Sequence, residues 1–185
     1  SYFKISDPLF WDQYDSIYTG THLNDYLLDN IMSLTNELKN RYKVNFATKL
    51  VLRLIFVRYL IDRGINLAYG NFNDSIEESR EELVKVTRDK TKLYELFKYL
   101  KGKFNGNLFE LDIEIENTSL SDEVFVLLSD FLSGKIHLGN NQLSLFSMYD
   151  FNIIPVELIS NIYEILLGKE IRNKDNAFYT PNYLA

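Results

Sequence analysis

The sequence predicts a mainly α-helical bundle domain with at most one or two short β segments, and three observations predict it. Apolar residues recur at helical spacing in segment after segment. Those segments open at Ser, Asn, Asp or Pro and close at Gly, the residues that cap helices. Strict period-two alternation is confined to Leu111–Glu116, a short strand pattern, with Leu143–Phe146 as a second short extended piece.

Leu9, Phe10 and Trp11 behind Asp7-Pro8 form an aromatic anchor. Leu23, Leu27, Ile31, Leu34 and Leu38 then mark an amphipathic helix. Asn45 is the expected N-cap of a helix from Phe46 to Arg63, with Gly64 at C′. Ala47, Leu50, Val51, Leu54, Ile55 and Leu60 supply one stripe, while Leu52, Phe56 and Val57 cover much of the remaining circumference. This helix is therefore expected at the centre of the core. Its Arg53, Arg58 and Asp62 are either a buried polar network or rim residues, and the spacing of Arg58 and Asp62 lets them pair.

Ser75 and Glu78 have the spacing of a capping box, opening a helix with Leu83 and Val86 inward. Asp89 caps the next, which carries Leu93, Leu96, Phe97 and Leu100 and breaks at Phe104-Asn105-Gly106-Asn107. Ser121 opens a helix bearing Val124, Phe125, Leu127, Leu128, Phe131 and Leu132, stopped by Ser133-Gly134. Pro155 starts a last helix, with Leu158, Ile159, Ile162, Ile165 and Leu166 inward and Gly168 as terminator. Lys169–Asn176 lacks an apolar period and reads as a linker. At Asn176–Ala185 a turn precedes a second helix start, with Thr180 as N-cap and Pro181 in the first turn. Such an end offers N–H groups to anionic ligands. The division is 1–168 as a helical domain and 169–185 as linker and the start of another domain.

A chain of 185 residues with 46% hydrophobic content can bury one good core. The absence of Cys removes disulfides, thiolate catalysis and Cys-based zinc sites, and His22 and His137 are too few for a His-rich metal site. No metal is expected. The longest apolar stretch, Leu50–Ile61, is interrupted by Arg53 and Arg58, and no basic-then-apolar leader is present, so the reading is cytoplasmic with no membrane partner.

A net charge of −6 opposes autonomous, nonspecific nucleic-acid binding. The charge is nevertheless polarised. Lys85, Arg88, Lys90, Lys92, Lys98, Lys101 and Lys103 stand against only Asp89 and Glu95, whereas Glu110–Asp130 holds seven acids and no base. One segment suits phosphate and the other repels it, although charge runs usually only solvate a surface. The pairs Glu77-Glu78 and Glu81-Glu82 have charged neighbours, with nothing to raise a carboxylate's pKa for general acid work. Neither a Gly-rich phosphate loop nor a nucleophile elbow is found.

Four segments, in order, carry a resemblance. Ala47–Gly64 resembles the helix "LL.RLLF.RFL.DRG" of large adenine-specific DNA methyltransferases. Leu93–Phe109 resembles "LF..L...FNG.LF", and Tyr149–Leu167 resembles "YDF..IPVE.L..IYE..L". Phe178-Tyr179-Thr180-Pro181 is similar to the "(F/Y)YTP" that precedes the AdoMet-binding domain. The family includes fused type IIG restriction-modification enzymes and BREX-type phage-defence methyltransferases, with type I modification subunits as distant relatives. The resemblance spans Phe46–Ala185.

It implies that the chain is the N-terminal helical part of a DNA adenine-N6 methyltransferase, ending before a Rossmann-like catalytic domain. The parent would be the enzyme. The Gly-rich AdoMet loop and the Asn-Pro-Pro-Tyr motif lie outside these residues, so this stretch alone is not catalytic. In the parent, the target adenine would be flipped out and its amino group would attack the methyl group of S-adenosyl-L-methionine. Phe178, Tyr179, Thr180 and Pro181 would close over the methionine part of that cofactor. Tyr163 and Glu164 would seat the catalytic domain, while Phe151, Ile153 and Ile154 pack the helical one. The implied partners are double-stranded DNA, met through the full-length protein, and a restriction or specificity subunit. For phosphate contact the sequence offers Lys85, Arg88 and Lys92, whose i, i+3, i+7 spacing is that of one helical face. The alternative is a helical protein–protein interaction module that docks a partner subunit through the acidic Glu110–Asp130 surface.

Overall fold

The computed structural model describes residues 25–104, 107–109, 116, 120–135, 137–138, 142–143 and 146–175. The chain is mainly α-helical, as its spacing predicts. Residues 25–40 form α1, which buries Leu27, Ile31, Leu34 and Leu38 along one side; Leu23 and the aromatic anchor lie outside the described residues. Helix α2 runs Ala47–Asp62, and only Lys49, Phe56 and Tyr59 in it are not fully buried. It is the core helix. Asn45 does not cap it: Phe46 occupies the N-cap position with no side-chain cap bond, and its ring packs on the core instead. Burying an aromatic ring there outweighs one cap hydrogen bond. The C-terminus follows expectation, since Gly64 has φ +70° and donates to the Ile61 carbonyl while Ile65 donates to Leu60. These two bonds make a Schellman motif, whose left-handed residue favours glycine.

Helix α3 spans Ile76–Arg88 and α4 spans Lys90–Lys103. Ser75 accepts from the Glu78 N–H at 3.4 Å, half of a capping box. The other half is rewired: the Glu78 carboxylate accepts from the Asn73 side chain, and Asn73 Oδ1 takes the Ser75 N–H. Asp89, extended at φ −106° and ψ 111°, divides α3 from α4 and caps the second by accepting from the Lys92 N–H at 3.1 Å. After a 3₁₀ turn at Asn107–Phe109 comes α5, Asp122–Leu132, closed by a second Schellman motif at Gly134 (φ +71°). Of the alternating Leu111–Glu116 run only Glu116 is described, and it is helical and buried rather than on a strand face.

His137–Leu138 (β1) pairs antiparallel with Gln142–Leu143 (β2). Of the expected extended piece at Leu143–Phe146, Leu143 lies in β2 and Phe146 opens a 3₁₀ turn through Met148, while residues 144–145 lie outside the described residues. Helix α6, Val156–Asp175, continues seven residues past Gly168, through most of the stretch that reads as a linker. A glycine inside a helix costs only about 1 kcal/mol relative to alanine, and Lys169–Asp175 contains no proline, so nothing local forces a stop. Helix α3 packs on α2, α4 and α5, while α2 also meets α6 and the first 3₁₀ turn. No described helix is long and apolar enough to cross a membrane.

Candidate functional site

A core helix gains most of its stability from apolar burial, so charged residues on it must be paired or cost several kcal/mol each. Helix α2 buries three: Arg53, Arg58 and Asp62, exposed by 0%, 3% and 1%. Arg53 and Arg58 are five residues apart, which turns their side chains about 140° from each other around the helix. Asp62, one turn beyond Arg58, shares its side.

On the first side, the Arg53 guanidinium donates through Nη1 and Nη2 to the two carboxylate oxygens of Glu116 at 2.7 and 3.1 Å. Nε donates to the Leu108 carbonyl at 2.8 Å, and the Phe97 ring lies 5.5 Å from the guanidinium carbon. The Tyr94 hydroxyl donates to Glu116 as well, at 3.2 Å. Burial, followed by the Glu116 charge, pushes the Tyr94 phenol well above its ordinary pKa, so it stays a donor. This is a sealed, bidentate pair that fastens the Asn107–Phe109 turn to α2.

The second side is built differently. Asp62 Oδ1 accepts from two guanidinium groups, Arg58 Nε at 2.8 Å and Arg80 Nε at 2.7 Å, and Oδ2 accepts from the Phe151 N–H at 2.9 Å. Arg58 Nη2 donates to the Tyr149 carbonyl at 2.8 Å, and Arg63 Nη2 donates to that of Ile154 at 3.1 Å. Phe146 and Phe151 lie 5.7 and 5.9 Å from the Arg58 guanidinium carbon. One turn of α2 thus clamps residues 146–154. Burial lowers the Arg58 pKa, with Asp62 opposing and the neighbouring Arg80 charge adding to the fall. An arginine nonetheless stays protonated at neutral pH.

Beside this cluster lies a cavity of about 390 Å³, a volume within the range of small-molecule sites. Arg58, Arg80, Lys85 and Lys135 line it with Glu81 and Ser147, and Leu83, Val84 and Leu132 give it apolar walls. Its rim is wet, since Lys85, Lys135 and Ser147 are exposed. No family model, curated protein or solved structure matches this chain.

Lys85, Arg88 and Lys92 are all exposed. They do not share one helical face, because Asp89 ends α3 and starts α4, leaving Lys85 and Arg88 on one helix and Lys92 on the next. Lys85 stands 4.0 Å from Glu81 and Lys92 3.9 Å from Asp89. Of the three, only Lys85 lines the cavity. Phe178, Tyr179, Thr180 and Pro181 lie outside the described residues. Phe151 and Ile154 are buried as expected, whereas Ile153 is 79% exposed. Tyr163 is half-buried and Glu164 exposed. The acidic run offered as a docking surface loses Glu116 to the interior, where it is the counterion of Arg53.

Arg80, Asp150, whose carboxylate lies 3.5 Å from Arg80 Nη2, and Lys135 at the cavity rim escape sequence reasoning. Arg80 sits in a Glu-Glu-Ser-Arg-Glu-Glu run that reads as a solvated face, yet its Nε reaches across to α2. The one available hint is Ser79, a buried residue amid those charges, whose hydroxyl donates to the Asn73 carbonyl.

Proposed function

We propose that this chain is the N-terminal helical part of a DNA adenine-N6 methyltransferase of a restriction-modification or phage-defence system. It positions the catalytic domain and lends basic residues to DNA. The observation that carries this reading is the meeting of the three described segments that bear the resemblance. Arg53 fastens Leu108, at the end of the second segment, to the first. Arg58, Asp62 and Arg63 fasten Tyr149, Phe151 and Ile154, at the start of the third. Residues of matching segments thus serve one another as hydrogen-bond partners, which accounts physically for their occurring together. Helix α6 follows that clamp and precedes Phe178–Pro181 in sequence, so the clamp would set the position from which a catalytic domain starts. S-adenosyl-L-methionine would be bound by that domain, with Phe178–Pro181 as this chain's contribution.

The decisive test is to translate the gene beyond Ala185. A strand, a Gly-rich AdoMet loop and Asn-Pro-Pro-Tyr are expected, whereas an immediate stop codon would overturn the reading. For the DNA part, the parent enzyme with Lys85, Arg88 and Lys92 all changed to Glu is expected to bind DNA more weakly and with a shallower salt slope. Unaltered affinity and slope would remove these residues from the interface.

A further inference from the structure

The two guanidinium groups that share Asp62 Oδ1 leave part of their donor capacity unused. Arg58 Nη1 and Arg80 Nη1 have no hydrogen-bond partner among the described residues, and the Arg80 Nη2 contact to Asp150 is long, at 3.5 Å. Both side chains line the cavity, and Arg58 is almost wholly buried. Four cations, Arg58, Arg80, Lys85 and Lys135, stand there against Glu81, Asp62 and Asp150. Lys135 follows the Schellman turn of α5 and offsets the negative end of that helix dipole. A group with several acceptor oxygens placed at the cavity's inner wall would bridge both guanidinium edges and relieve their mutual repulsion.

We propose that this cavity is a phosphate-binding site. Arg58 and Arg80 hold the phosphate from within, Lys85, Lys135 and Ser147 close on it from the rim, and Leu83, Val84 and Leu132 pack the organic part of the ligand. A phosphate fits better than a carboxylate, because its tetrahedral oxygens can serve two non-coplanar guanidinium forks at once. The volume exceeds what a bare ion needs and leaves room for a sugar-sized body. The phosphate could come from a DNA backbone or from a free nucleotide. The site stands on the cavity alone, so its failure would leave the methyltransferase reading intact.

The test is amide NMR of the chain, titrated with inorganic phosphate, with deoxyadenosine monophosphate and with a short DNA duplex, each against sodium chloride at matched ionic strength. Saturable shifts at Ser133, Lys135 and Ser147 are expected, with affinity falling about tenfold in Lys135→Gln and further in Arg80→Gln. Lys135 is exposed, so its variant keeps the fold if Arg80→Gln does not. Shifts with the mononucleotide identify a free organic phosphate, and shifts with the duplex alone identify backbone phosphate. Either supports the site. No saturable shift with any of the three, shifts that map elsewhere, or affinity unchanged in Lys135→Gln would overturn it.

Discussion

Helix α2 carries one buried arginine on each of two sides, and the two are satisfied in opposite ways. Arg53 meets one carboxylate, Glu116, in a bidentate pair walled by Phe97 and Tyr94. Arg58 shares a single carboxylate oxygen with Arg80 and borders a cavity. The first arrangement neutralises a charge and leaves nothing for a ligand to do. The second leaves positive charge and unused donors facing space. One structural element thus holds a closed fastener and an open receptor: Glu116 gives both of its oxygens to Arg53, whereas Asp62 Oδ1 is divided between two guanidinium groups and Asp150 reaches Arg80 only at 3.5 Å.

The largest effect that would sharpen this contrast is expected at Glu116. Glu116→Gln leaves Arg53 charged inside the core and is expected to cost about 4 kcal/mol in urea unfolding. The double change Arg53→Met with Glu116→Leu should recover most of that loss, since an apolar pair of similar volume replaces a buried ion pair at little cost. Loss of the same size in the double variant would mean that the pair does more than neutralise itself.

Asp62→Asn comes next, at about 3 kcal/mol, smaller because the amide oxygen can still accept from Phe151 and because Arg80, one of the two guanidinium groups it abandons, is 28% exposed and screened by water. Arg80→Gln is milder. Arg80 is 28% exposed, so water and salt screen its link to Asp62, and about 1 kcal/mol is expected by thermal unfolding.

The smallest effect belongs to Tyr149, whose buried hydroxyl lacks a hydrogen-bond partner among the described residues. Burial, then Tyr26 and Asp29, push its phenol up to about 12 from an ordinary 10.0. The folded chain therefore keeps this proton when the unfolded chain loses it. Its contribution is fully present below pH 10.0 and is lost as pH rises toward about 12. Tyr149→Phe should gain a few tenths of a kcal/mol at neutral pH and flatten the decline in that alkaline window. A decline as steep as in the parent chain would assign the alkaline loss to other tyrosines, Tyr94 first.

Much of the fold was legible because helical spacing and caps are local. The α1 face, the α2 stripe, the Ser75 and Asp89 caps and both Schellman glycines can be read from neighbours in sequence. Errors fall where distant contacts override local signals. Phe46 displaces Asn45 because it packs on the core, and Glu116 leaves its alternating pattern to meet a guanidinium 63 residues away; Gly168, by contrast, is passed over inside α6 because a lone glycine is a weak stop. The site was legible in part. Arg58 with Asp62 shows as a spaced pair, but Arg80 reaches Asp62 and Asp150 across 18 and 70 residues, and beyond Ser79 amid its charges no local spacing marks those contacts.

One side of α2 is sealed and the other is open to anions. The most direct measurement is the melting temperature of Asp62→Asn and Glu116→Gln in rising phosphate, each against sodium chloride at matched ionic strength. Phosphate should restore several degrees to Asp62→Asn, where an added anion can replace the lost carboxylate, and leave Glu116→Gln unmoved relative to chloride. Equal shifts in the two variants, or none in either, would contradict the account.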